Sequence, residues 1–188
     1  MFDAPSAQPG ARYEGRVVVE DLGPQGMVTL RGDADALSGP VSDVAGIALP
    51  DRLSIVADGA RRLAWMSPDE FLLFCPYGDA AALSARMAEA LSGRHALAVN
   101  VSDARASFRL SGEEAALRET LAKLTPADVS PGAFAPGTIR RSRLSQAAAA
   151  FWLDADGSLQ VICFRSVADY VFALLRNAAH PAGTVGYF

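Results

Sequence analysis

Residues with chemical reach are scarce in this sequence. The 188 residues include two histidines and two cysteines. His95 follows a Gly turn and His180 precedes Pro181, and neither has a Cys, Asp or Glu at ligand spacing, so no metal site is expected. Two cysteines make no disulfide framework. Cys75 and Cys163 each close an apolar run, which predicts buried, reduced thiols. The glycine fingerprints of dinucleotide and phosphate loops, GxGxxG and GxxxxGK[ST], are missing, and so is GxSxG. Ser102-Asp103-Ala104-Arg105 pairs a hydroxyl with a carboxylate but has no histidine beside it. It reads as a turn held by side-chain-to-backbone hydrogen bonds. The longest apolar run, Ala147 to Leu153, falls far short of the roughly 20 residues of a membrane span. Neither sign of charge dominates: 17 basic against 21 acidic residues give a net charge of -4, with no general pull toward nucleic acid or anionic lipid. The opening residues lack the basic segment and apolar core of an export leader, so a cytoplasmic location is expected.

What is abundant is apolar surface. Hydrophobic residues make up 51% of the chain and charged residues 20%, the latter below the usual quarter or so. A chain this apolar that spans no membrane is expected to cover part of a partner; in the alternative, the composition reflects an alanine-rich genome.

The organising stretch is Val99 to Gly112. Val99 and Val101 alternate with polar neighbours, Ser102-Asp103 interrupts, and Ala106, Phe108 and Leu110 alternate again, the period of half-buried strands. Leu117, Leu121 and Leu124 then return at helical spacing. One strand closes a first half and the next opens a second. Before the seam, Arg16–Glu20 reads as a short strand or an extended arm, and strands are predicted at Met27–Arg31, Leu53–Val56, Arg61–Met66 and Phe71–Cys75. A helix over Asp33–Ala45 is weakened or split by Gly39-Pro40, and another runs over Asp79–Leu91. After the seam, an extended run over Thr138–Leu153 pairs back with Ser158–Phe164. The last helix has Ser166 and Asp169 at capping-box spacing. LRGDADAL from Leu30 aligns with LSGEEAAL from Leu110, an offset of 80; Cys75 aligns with Cys163, and Leu83 and Met87 with Val171 and Leu175, an offset of 88. Trp65 and Trp152 occupy similar places. The expected architecture is α+β, two duplicated ferredoxin-like halves, with a loose tail over 1–11, a first half over 12–101 and a second over 102–188.

Between the central helix and the next strand, Thr125 to Gly137 holds Pro126, Pro131 and Pro136, which no regular element survives. The loop carries Phe134 and is followed by Arg140, Arg141 and Arg143. A long irregular loop in a compact domain is usually functional, and arginine is enriched at interfaces. These four residues are therefore expected on a partner surface; in the alternative, the loop folds back and Phe134 plugs the chain's own core.

WMSPDEFLLF (from Trp65), VSDARASFRLSG (from Val101), LAKLTPADVSPGAFAPG (from Leu121), RRSRLSQAAAAFW (from Arg140) and FRSVADYVFALL (from Phe164) occur in register. Together they resemble the gamma subunit of bacterial heterotetrameric sarcosine oxidase. The resemblance implies an aminomethyltransferase-like fold, as in the glycine cleavage T-protein. It also implies alpha, beta and delta subunits as partners, in a complex that oxidatively demethylates sarcosine to glycine. NAD, FAD, FMN, zinc and tetrahydrofolate would reside in those partners. No catalytic, cofactor-binding or metal-binding residue is implied here. Two other readings stay open: the equivalent subunit of a related N-methyl amino acid dehydrogenase, and a free-standing folate-binding module.

Overall fold

The structure is a computed structural model that describes residues 6–188. Two compact units divide the chain, Gln25–Ser102 and a second built from residues up to Pro24 together with Asp103–Phe188.

The first unit runs β3 (Gly26–Arg31), α1 (Ala34–Ala45), β4 (Ile55–Asp58), β5 (Arg61–Ser67), β6 (Glu70–Cys75), α2 (Ala80–Ala90) and β7 (Leu97–Asn100). Its antiparallel sheet has the order β4-β5-β6-β3-β7. Leu30, Leu37, Val41, Leu63, Leu73, Leu83 and Met87 form its core with both helices. The β4–β5 hairpin turns through Gly59-Ala60, with Gly59 at φ +55°, a backbone that L side chains rarely adopt. In β3, Gly26 lies opposite Cys75, and a Cβ there would come within 2.8 Å of its Sγ. This strand pair has no room for a side chain.

Helix α1 is continuous, so of the two outcomes expected at Gly39-Pro40, a weakened or a split helix, the split does not occur. Pro40 has no N–H to give the Ala36 carbonyl. Arg94 supplies the missing donor, its Nη1 reaching that oxygen at 3.1 Å. The strand at the seam also differs in phase. Ala98 is buried, whereas Leu97 and Val99 are exposed.

The second unit contains β8 (Arg105–Gly112), α3 (Glu114–Ala122), β9 (Ile139–Leu144), β10 (Ala147–Leu153), β11 (Leu159–Phe164) and α4 (Ala168–Ala178). Two strands from the start of the chain, β1 (Arg12–Glu14) and β2 (Val17–Asp21), complete its sheet, ordered β1-β2-β8-β11-β10-β9. Residues 12–24 thus belong with the second half, a correction to the expected boundary. The reason is topological: in the first unit β7, which follows α2, lies beside β3, but no strand follows α4 to lie beside β8. Val17 and Val19 fill that place, at 1% and 0% exposure, and burying each contributes roughly 1.5–3 kcal/mol. Of the expected tail 1–11, residues 1–5 lie outside the described residues. Ser6 donates a hydrogen bond to Asp21, and the Asp21 N–H reaches the Ala11 carbonyl at 2.9 Å.

The two sheets share one plan, in which β3, β5, β6 and β7 correspond to β8, β10, β11 and β2, the strand order of a ferredoxin-like unit. The offsets carry into the ladders: Gly26 opposite Cys75 becomes Ala106 opposite Cys163. The tryptophans do not correspond. Trp65 pairs with Phe71 and packs on the helix-facing core, and its counterpart is Leu153, which pairs with Leu159. Trp152 faces away, its indole N–H donating to Asp154 at 3.0 Å. Ser166 caps nothing either; α4 begins at Ala168 after a 3-10 turn, with no side-chain cap bond.

Candidate partner surface

The loop between α3 and β9 has no regular structure, yet it is tied down. Its anchor is Arg118 on α3, 3% exposed. Nη1 donates to the carbonyls of Val129 at 2.6 Å and Phe134 at 3.0 Å, while Nε reaches Glu114 at 2.8 Å. The Asp128 carboxylate accepts from the Ser130 N–H at 2.9 Å, which holds it below the usual carboxylate range. With its backbone so held, the loop drives Phe134 inward. That ring is fully buried in the unit's own core, edge-on to Phe151 with centroids 5.7 Å apart. Phe134 is therefore a core plug and not a partner contact, which corrects the first expectation.

The basic cluster is divided by the period of the strand. On β9, Arg140 shares the helix-facing side with Leu144, while Arg141 and Arg143 project from the other. The Arg140 guanidinium donates to the Ala133 carbonyl and lies 5.9 Å from the Phe134 ring centroid, so it fastens the loop to the strand. Arg141 and Arg143 are exposed. Two of the four expected residues remain as a surface feature and two hold it in place.

Other groups singled out by the sequence are structural in their contacts. The Ser102 hydroxyl donates to Asn100 Oδ1 at 2.6 Å and accepts from the Met27 N–H at 2.9 Å, and Asp103 is exposed. His180 Nδ1 accepts from the Ala182 N–H at 3.1 Å, and His95 is exposed. Among the described residues no three His, Cys, Asp or Glu side chains are grouped to hold a metal ion. Burial pushes the Cys163 thiol up to about 12 and raises that of Cys75. A concavity of about 410 Å³ beside β3 and α1 is lined by Arg31, Asp33, Asp69, Arg94 and His95. All five are exposed, and Arg31 and Asp69 pair with each other at 2.9 Å.

Sequence reasoning missed Glu119, a carboxylate 4% exposed on α3. It accepts from the N–H groups of Val185 at 2.7 Å and Gly186 at 2.9 Å, and pairs with Arg16 and Lys123, each at 3.1 Å. The Val185 N–H leads the interactions that draw its pKa down to about 2, against the opposing effect of burial. Three of these partners lie 66 to 103 residues away, so no local pattern announces the node.

Residues 31–181 match the family described as "Sarcosine oxidase, gamma subunit family". This chain belongs to that family. The match spans both units, from the end of β3 past the end of α4. Among solved structures, heterotetrameric sarcosine oxidase from Corynebacterium sp. U-96 superposes with a TM-score of 0.80 at 22% identity, over 92% of this chain and 89% of that one. Glycine cleavage system aminomethyltransferase T from Bartonella henselae follows with a TM-score of 0.57 at 16% identity, over 82% of this chain and 44% of that one. At these identities the two structures speak for the fold. No curated protein sequence matches the chain. Among the described residues no helix is long and apolar enough to cross a membrane.

Proposed function

We propose that this gamma-family chain is a non-catalytic, structural subunit of a cytoplasmic heterotetrameric sarcosine oxidase. In this reading the alpha, beta and delta subunits are its partners, and FAD, FMN, NAD, zinc and the tetrahydrofolate that accepts the one-carbon unit are held by them. The observation that carries the reading is the family match across both units. Some local contacts are in keeping with it: the Ser102 hydroxyl, the His180 imidazole and the Glu119 carboxylate each hold a turn or a chain segment in place. Arg141 and Arg143 are the residues of this chain proposed to meet a partner, with Phe134 and Arg140 supporting them from beneath.

Co-expression with the other three subunits from the same source tests this. The chain is expected to co-purify with them in a complex that oxidises sarcosine, and to be colourless when purified alone. A stoichiometric flavin absorbance in the isolated chain, or assembly and full turnover of the other three without it, would refute the reading. Preference of the assembled complex for another N-methyl amino acid would reassign the substrate and leave the structural role intact.

A further inference from the structure

The six-stranded sheet has two open edges, and they are built differently. At one, β1 is three residues long, and its Arg12 is already paired with Glu14 at 2.9 Å and with Glu20 on β2. At the other, β9 is six residues long, and its neighbour β10 sets Ala148 opposite Arg143 and Ala150 opposite Arg141. No carboxylate faces Arg143 across the ladder, and among the described residues no ion pair involves it.

The backbone at this edge is poised in the same way. The two-residue turn at Ser145-Gln146 makes Leu144 and Ala147 the hydrogen-bonded closing pair. Bonded pairs then recur at Ser142 and Arg140, so the N–H and C=O of Arg143 point out from the open edge. The strand is also stiffened before any partner arrives, because Arg140 and the Phe134 plug fix the loop beneath it. An edge ordered in advance loses little entropy on docking.

We propose that β9 receives an acidic, extended segment of a partner subunit. The segment adds as a further strand and sets a carboxylate against the Arg143 guanidinium, with Arg141 beside it on the same face. This inference rests on the subunit role proposed above. Charge complementarity selects the occupant. A second copy of β9 would bring arginines against arginines, which is unfavourable across a strand pair. Strand addition supplies main-chain bonds for affinity and side-chain pairs for choice of partner.

The test uses the co-expressed complex with R143E, R143K and R143P. Proline removes the outward N–H of residue 143 without removing a bond to β10. Amide exchange at residue 143 is measured in the full chain alone and in the complex. The proposal expects R143E and R143P to lower the recovered complex at least tenfold, R143K to retain it, and the Arg143 amide to exchange at least tenfold more slowly on assembly. If R143P fails to fold, R143E and the exchange rate still decide. A wild-type chain that forms no complex overturns both the subunit role and this docking mode. Variants that assemble like wild type, with unchanged Arg143 exchange in an intact complex, overturn the docking mode alone. The arginines would then be charges that guard an open edge. Loss of complex with R143E but neither slowed exchange nor an effect of R143P overturns strand addition.

Discussion

At the scale of single residues, the interior side chains that the sequence made conspicuous and the one it concealed lead to different tests. Phe134 stood out between two prolines, and that isolation fits a plug as well as an interface; burial decides for the plug. Phe134→Ala should lower stability by about 3–5 kcal/mol, the range for emptying a buried aromatic site, measured by denaturant unfolding. A loss under 1 kcal/mol would mean that the ring is not seated in the core. Glu119 was hidden because its signature is tertiary. Its pKa is depressed to about 2 from an ordinary 4.5. The stability it contributes is therefore present above about 4.5 and is lost as pH falls toward 2. Glu119→Gln should flatten that part of the acid-unfolding curve and loosen residues 185–186, read by amide exchange. An acid limb identical to wild type would remove the clamp. The cysteines behave as their apolar runs suggest. Both are buried, and the thiol of Cys163 is pushed up to about 12, so neither should react with a thiol reagent at neutral pH without denaturant. Rapid labelling of either would contradict the burial.

At the scale of elements, the strands and helices were largely legible, and the failures share a cause. Alternation and helical spacing report local preference, whereas several outcomes here depend on distant donors. Gly39-Pro40 was expected to weaken or split a helix, and Arg94, far along the chain, supplies the bond that Pro40 cannot. The account predicts that Arg94→Ala costs about 0.5–1.5 kcal/mol, the usual net worth of a hydrogen bond. That cost should shrink toward zero in a Pro40→Ala background, where residue 40 can donate for itself. Equal costs in both backgrounds would show that the two residues are uncoupled. Ser166 illustrates the opposite error, a correct motif spacing overridden when the chain entered α4 through a 3-10 turn. The arginine run was visible in the sequence, and strand alternation alone divides it between two faces. Arg140 became a fastener, and Arg141 with Arg143 stayed on the surface.

At the scale of the whole molecule, duplication was legible from two offsets, 80 and 88, because the ladders that preserve them are the core of each unit. The origin of the last strands of the second sheet was not. Contiguity in sequence favoured a boundary near residue 101, but Val17 and Val19 complete a sheet whose other members begin at Arg105. Removing residues 12–24 should therefore destabilise the second unit, near whose far end in sequence Leu175 and Ala179 share a core with those valines. The claim on which the account stands is that the chain works as part of a complex. Size-exclusion chromatography with light scattering on the four co-expressed subunits measures this directly. The account predicts one species containing all four, active on sarcosine, with this chain present in equal number to the largest subunit. A 19.7 kDa chain eluting by itself while the other three assemble and turn over at full rate would contradict it.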